Sequence, residues 1–540
     1  MQCYFDYIIV GGGSAGSVLA SRLSENPDIS VCLVEAGGNG DSWTVNIPCA
    51  GIISLPTKIN NWGLNTVPQK NLFGRQTYQP RGKCLGGSSA INAMVYLRGN
   101  KKNYDNWASL GNNGWSYEEV LPYFIKSERN NNINNEYHGN NGPLSVSNLR
   151  SDNPISNIFL NAIKEAGYPI NNDFNGQEQI GFGLYQVTQY EGQRCSTAKA
   201  FIHPNIKRKN LTIITKTLTE KLIIQNRVTT GIECNRDGYK FKLYAKAEVI
   251  LSAGAIHTPQ ILMLSGVGDS NELSKLGIKI QAHLPGVGKN FHDHPGFVFA
   301  YNIKTWEGTF GFSIPGLLSF CKEIKDYSHH KKGMLTSNYA ECGGFFKTEN
   351  NLEIPNAQLH FIVAVVDNHA RNIHMKHGVS FHLSLLNPKS RGTIKLSGSN
   401  IRDPILIDPN FYGDQQDLQD MIDAYKISKK IIQSKKLQLL LSEDLVGSNL
   451  STDSDIIDLL KRKTDSSYHP VGSCKMGTDY NSVVNSSLEV HGVKKLRIVD
   501  ASIMPEIVNA NTNATVIMIA EKAADLILKK RKDRLAIGTA

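Results

Sequence analysis

The 540-residue sequence predicts an α/β fold built on a mostly parallel sheet, with an inserted α+β region that carries an antiparallel sheet. Three observations lead there. Within the first 35 residues a buried-strand run, a glycine turn, a helix-periodic run and a second apolar strand follow one another, the order that lays strands side by side in parallel. Further short apolar runs, each closed by glycine or a small-residue turn, recur far downstream. The middle of the chain instead runs or alternates apolar around Pro/Ser/Arg/Gly turns, the habit of antiparallel strands. With about 150 residues as the usual domain scale, one compact module is excluded. A composition of 40% hydrophobic and 20% charged residues is that of a core-forming chain, not a disordered one.

In order, Tyr7 to Val10 reads as a buried strand, Gly11-Gly-Gly13-Ser-Ala-Gly16 as the turn, Ser17 to Leu23 as a helix and Val31 to Val34 as the next strand, ending at Glu35. Leu211 to Ile214, Ala247 to Leu251 and Leu496 to Val499 supply distant strands of the same sheet. Ala357 to Val366, Val379 to Leu386 and Gly392 to Leu396 read as the antiparallel sheet. An Asn-rich stretch over residues 130–141 lacks periodicity and reads as a surface loop. Ile517 to Leu528 has helical spacing and is expected to pack back on the first sheet.

Gly11-x-Gly13-x-x-Gly16 lies between a strand and a helix, and Glu35 falls 24 positions after Gly11 at the end of the next strand. That is the dinucleotide fingerprint of a Rossmann-type domain in its full context. The glycines allow the tight turn and a close approach of backbone to a pyrophosphate, whose charge meets the helix N-terminus. Glu35 is placed for the adenosine ribose hydroxyls. A rival reading takes Gly12-Gly-Ser14-Ala-Gly16 as the Gly-x-Ser-x-Gly nucleophile elbow of a serine hydrolase, with Ser14 as nucleophile and His469 as base. An elbow normally follows several strands, and this reading leaves Glu35 unexplained. No second Gly-x-Gly-x-x-Gly exists, since Gly266-Val-Gly268 lacks its third glycine. If the one site holds a flavin, the substrate is the electron donor and the acceptor is not a nicotinamide.

Three further segments stand out: Arg81-Gly-Lys-Cys-Leu-Gly86-Gly87-Ser88-Ser-Ala-Ile91-Asn92-Ala93-Met94-Val95-Tyr96; Ser252-Ala-Gly254 through Pro259 to Gly268; and Tyr468-His469-Pro470-Val-Gly472 with Asn509-Ala-Asn511-Thr512-Asn513. With the fingerprint, and in the same order along nearly the whole chain, they resemble the glucose-methanol-choline oxidoreductase family. The resemblance leans toward its bacterial FAD-dependent alcohol dehydrogenases and choline dehydrogenases.

That resemblance implies an FAD enzyme that oxidises a primary alcohol to its aldehyde by hydride transfer to flavin N5 and passes electrons to a quinone-like acceptor. Choline dehydrogenase, an oxygen-using oxidase and a lyase that keeps FAD as a relic are alternatives within the family. His469 and Asn511 fall on the catalytic pair. A histidine is a base with a pKa naturally near the working pH, and an asparagine amide can donate to a developing alkoxide. FAD contacts are implied for Gly11, Gly13, Ser14, Ala15, Gly16 and Glu35; for Arg81, Gly86, Gly87 and Ser88; for Asn92, Ala93, Met94 and Val95 beside the pyrophosphate and isoalloxazine; for Thr219 at the adenine; for Asp500 and Ala501 at the ribityl chain; and for Asn511 and Thr512. Relatives that bind FAD covalently use a histidine where Ile91 stands here, so the cofactor is expected to be non-covalent. Residues 1–45, 80–150, 200–300 and 460–540 are assigned to the FAD domain, and 46–79, 151–199 and 301–459 to the substrate domain.

The net charge of +10 has one concentrated source, Lys529, Lys530, Arg531, Lys532 and Arg534 around Asp533. A solvated helix end is the plainer reading, a peripheral membrane contact the other. Nothing else points to nucleic acid. Nine scattered cysteines without a Cys-x-x-Cys pair suggest reduced thiols and a cytoplasmic setting. No secretory signal or spanning run is evident. His292-Asp293-His294 is too poorly spaced for a metal site, and Cys474 reads as an inert buried thiol.

Overall fold

The computed structural model describes residues 3–311, 313–372 and 374–538. Two seven-stranded sheets organise it. The first runs Leu211–Ile214, Val31–Val34, Tyr4–Val10, Tyr239–Leu251, Val228–Arg236, Leu218–Gln225, with Leu496–Ile498 beside Tyr239–Leu251. Its opening pairs are parallel, as the glycine-turn unit requires. The last three strands are antiparallel, which departs from the expected parallel continuation. The cause is local: two-residue turns at Asn226-Arg227 and Asp237-Gly238 carry positive φ at all four positions, the geometry that folds a strand straight back on its neighbour.

The second sheet is antiparallel throughout, in the order Leu441–Asp444, Pro295–Ile303, Gly378–Leu385, Ala357–Ile362, Ala340–Phe346, Gly181–Leu184, with Asp465–Ser466 off its side. Period-two alternation gives it two unlike faces. Phe297, Phe299, Leu359, Phe361, Phe381 and Leu383 join one core with Phe159 from the helix Pro154–Glu165 and Met421 and Tyr425 from Gln415–Ile432. The ring of Phe159 stacks on Phe361 with centroids 4.7 Å apart. Val298, Ala300, His360, Ile362, His382 and Ser384 face a cavity instead. Thr393–Leu396, expected in this sheet, pairs only with Ile405–Asp408, because alternation fixes a strand's faces but not its partner.

The first sheet has its own core, closed by the helix Asn513–Gly538 through Ile517, Met518 and Ala524. Arg22 of the helix Ser14–Leu23 grips the buried Glu521 with two bonds of 2.8 Å. The basic run forms the end of that closing helix, where Lys530 pairs with Glu489 and Arg531 lies 3.9 Å from Asp6. Two of its five cations are thus spent on the fold.

The Asn-rich stretch is not simply a surface loop. Asn130 is buried, ends the short strand Glu128–Asn130, and donates to Glu128 (3.0 Å) and Gln186 (2.8 Å). Glu128 also takes Arg98 at 2.5 Å and His138 at 2.9 Å. Burial opposes charge on His138, but its bonds to Asp173 and Glu128 prevail and raise it to about 8. Polar side chains enter a core when each is satisfied there.

Among the described residues, no helix is long and apolar enough to cross a membrane. None of the eight cysteines whose side chains are described is in a disulfide, and Cys474 is buried; the side chain of Cys321 lies outside the described residues.

Candidate active site

Both sheets contribute to one cavity of about 1170 Å³. At its first end the strand Tyr4–Val10 stops and the helix starts at Ser14. Gly11 has φ +98°, and a Cβ there would stand 2.5 Å from the Ser252 carbonyl oxygen; one on Gly16 would stand 1.9 Å from the Gly11 carbonyl oxygen. These two are demanded by the chain's own packing. Gly13 differs: a Cβ there would meet only the Gly87 Cα at 3.8 Å, and the residue lines the cavity. Gly87, at φ +51°, is held close by the same contact, its Cβ falling 2.6 Å from Gly13 Cα. Gly86 donates to the Gly12 carbonyl at 2.7 Å.

Of the residues expected to touch the cofactor, Gly16 and Gly86 do not line the cavity. They are used up where the turn packs on its neighbours. The others do line it. The helix N-terminus at Gly13 has no side-chain cap and no acid in its first turn, which leaves the N–H groups of the turn for an outside anion. Glu35 is buried, and burial pushes its carboxyl up to about 7. Its oxygens accept from Gly12 N and Gly37 N, each at 2.8 Å, and each keeps lone-pair capacity for a hydroxyl donor. Thr219 lines the cavity with a buried hydroxyl that has no partner. Trp62, Lys83 and His257 close the same end: the Lys83 ammonium sits 4.3 Å above the Trp62 ring, the imidazole 4.5 Å from it, and His257 Nε2 is buried and unpaired. Trp62 carries no motif, and Lys83 and His257 lie within the segments Arg81 to Tyr96 and Ser252 to Gly268 without a residue-level signal of this role. Glycine cradle, uncapped helix and orphaned polar atoms together fit an adenine dinucleotide.

Farther in, Asn92 Oδ1 accepts from Met94 N (3.0 Å) and Arg194 Nη1 (2.8 Å), and Met94 takes φ +57°. This Asx turn, with Asn338 donating to the Ala93 carbonyl at 2.7 Å, shapes the segment Asn92 to Val95 along the wall. Arg81 lies opposite, donating to the Pro80 and Tyr468 carbonyls; burial lowers it to about 10. Asp500 bonds Gly254 N, Thr258 and Ser502 N, fixing Ala501 beside it. Burial raises the Asp500 carboxyl. Ala501 and Thr512 complete this part of the lining.

His469 and Asn511, 42 residues apart in sequence, meet here: Asn511 Nδ2 lies 3.0 Å from His469 Nε2. On the other side of the ring, His469 Nδ1 lies 3.0 Å from His294 Nδ1. Because the amide nitrogen can only donate, Nε2 is an acceptor and the imidazole proton sits on Nδ1, shared with His294. Asp293 accepts from the His469 backbone N–H at 2.8 Å and from Ser466, which fixes the loop. Burial, then His294, His360 and Arg81, hold His469 well below the usual imidazole value. The expectation of a pKa near the working pH is therefore corrected, and the ring is a neutral acceptor. Asn511 Oδ1 is buried without a partner.

The His-Asp-His segment is thus divided among separate tasks: His292 bonds Asn290 O and Ile507 N, Asp293 the His469 backbone N–H, His294 the His469 ring. No cluster of three or more metal-ligating side chains occurs among the described residues. Ser14 donates to Asn513 at 2.7 Å, not to a histidine, so the base that a serine nucleophile needs is missing from its side.

The GMC oxidoreductase family models match residues 5–296 and 388–520. An alcohol dehydrogenase (acceptor) of Pseudomonas putida is 43% identical over 533 residues, 97% of this chain and 96% of the relative. A mitochondrial choline dehydrogenase of Mus musculus is 38% identical, over 97% of this chain and 89% of its own. Among solved structures, an Aspergillus oryzae formate oxidase variant described for its FAD modification superposes with a TM-score of 0.90 at 26% identity, covering 98% of this chain and 99% of that one.

Proposed function

Because the chain belongs to the GMC oxidoreductase family, we propose that it is an FAD-dependent alcohol dehydrogenase that oxidises a primary alcohol to its aldehyde and passes the electrons to a quinone-like acceptor. The observation that carries the reading is the pairing of Asn511 Nδ2 with His469 Nε2 at 3.0 Å inside the cavity whose far end fits the dinucleotide. FAD, when bound, supplies the two-electron acceptor that takes the hydrogen of the carbinol carbon with its bonding pair. Gly13, the helix start at Ser14 and Ala15, Ser88 and Glu35 would hold it, and Ile91, with no nucleophilic atom, leaves it dissociable.

The protein's own part is the hydroxyl proton. An alcohol O–H entering beside His469 replaces the Asn511 amide as donor to Nε2. The amide, which carries two hydrogens, then donates to the oxygen as charge develops on it. His294 holds the His469 proton on Nδ1 and so keeps Nε2 free, and Asp293 anchors the loop that carries the ring. We assign the antiparallel sheet's cavity face to the substrate and the first sheet's end to FAD.

The test is the pH dependence of flavin reduction by a primary alcohol under anaerobic mixing. The base must be unprotonated, and His469 is held well below 6.5, so bleaching is expected to keep its rate as pH falls through 6.5 and to fail only well below it. A rate that halves near 6.5, as for an ordinary imidazole, contradicts the assigned protonation state. Ester cleavage without bleaching contradicts the function.

A further inference from the structure

We infer that His360 and His382 form a second polar anchor in the substrate end of the cavity, one that selects uncharged alcohols carrying another hydroxyl group remote from the reacting one. This rests on the alcohol-oxidising reading above.

The two histidines stand directly opposite one another on adjacent antiparallel strands, Ala357–Ile362 and Gly378–Leu385. Their Cβ atoms are thereby brought to about 5 Å, the spacing of any such cross-strand pair. Both line the cavity, on the sheet face opposite the phenylalanine core. Neither ring makes a hydrogen bond to the protein, and His360 Nδ1 and His382 Nε2 are buried without partners. His360 is only 8% exposed. Buried polar atoms are as a rule paired, so two bare imidazoles in a cavity wall mark partners that come from outside the chain.

The chemistry of that partner follows from the charge state. Burial lowers His360 to about 4 and His382 to about 3, so both are neutral, each offering one N–H and one lone pair. A hydroxyl group, at once donor and acceptor, answers both rings together. A carboxylate offers no hydrogen to donate when ionised and would be desolvated against neutral rings. A quaternary ammonium can neither donate nor accept, and the nearby acids of the lining are already taken: Asp465 by Arg75 and His369, Asp367 by His374. His360, His382 and His469 line the same cavity, which places the anchor and the base along one bound substrate.

The experiment compares a terminal diol, the 1-alkanol of equal chain length and choline as reductants of the holoenzyme. One added hydrogen bond is worth about tenfold in kcat/KM, so the diol is expected to exceed the alkanol by about that factor, with choline below both. In His360→Leu and in His382→Leu the diol-to-alkanol ratio should fall toward one, whatever the absolute rates. A purely structural role would lower both substrates together and leave the ratio intact. Equal kcat/KM for diol and alkanol in the native enzyme overturns the anchor while alcohol oxidation stands, and needs no variant to fold. Variants that keep the native ratio overturn it as well. Failure of every alcohol to bleach the flavin overturns both readings.

Discussion

Replacing His469 by Ala is expected to slow anaerobic flavin reduction by about 10²- to 10⁴-fold, the usual contribution of a positioned general base. FAD should stay bound, because the ring's contacts are His294 and Asn511 and not the glycine cradle. The loss has two sources. The proton acceptor disappears, and Asn511 loses the partner that orients its amide. Stopped-flow absorbance of the yellow holoenzyme reads the effect directly. Unchanged reduction of a flavin-replete variant would move the base to another residue.

The second large effect separates two glycines that the fingerprint treats alike. Gly16→Ala puts a methyl 1.9 Å from the Gly11 carbonyl oxygen, backbone that cannot swing aside. Overpacking of that kind costs about 1–3 kcal/mol, and the variant should melt well below the native protein. Gly13→Ala meets only Gly87 Cα at 3.8 Å, at a φ of −75° that any residue accepts. Its methyl instead enters the cradle. That variant should fold with a native circular dichroism spectrum yet lose most of its flavin, by absorbance per mole of protein. A yellow, native-like Gly13→Ala would show that the cofactor does not approach the turn.

The contrast shows how far the sequence could be read. Strand, turn, helix and carboxylate in the first 35 residues were legible because each has a local signature: a four-residue buried run, a glycine at a forced φ, a helical period. The distant strands Leu211–Ile214 and Leu496–Ile498 were legible as apolar runs for the same reason. Gly181–Leu184 was not, since glycine at two of its four positions reads as a turn and not as a strand. The hairpin at Asp237-Gly238 does have a local signal in its Asp-Gly pair. Asn130 and His138 looked solvated by composition, and only the partners Glu128, Gln186 and Asp173 make their burial affordable.

At the site, the motif singles out His469 and Asn511, which the structure brings within 3.0 Å of each other, but the charge state of His469 has no local signal. It depends first on burial and then on His294, which lies 175 positions away in a segment too poorly spaced for a metal site. His360 and His382 sit one each in strands that carry no motif, where a lone histidine reads as core. Their meaning lies in the register that pairs them and in the absence of any protein partner. Lys83, Trp62 and His257 likewise assemble only in three dimensions.

The most direct measurement is anaerobic mixing of the purified yellow holoenzyme with a primary alcohol, following flavin absorbance and aldehyde in the same cell. Loss of the flavin band with one aldehyde formed per flavin reduced is the expected result. A band that stays intact with every primary alcohol, or a purified protein that binds no flavin, would contradict FAD-dependent alcohol oxidation.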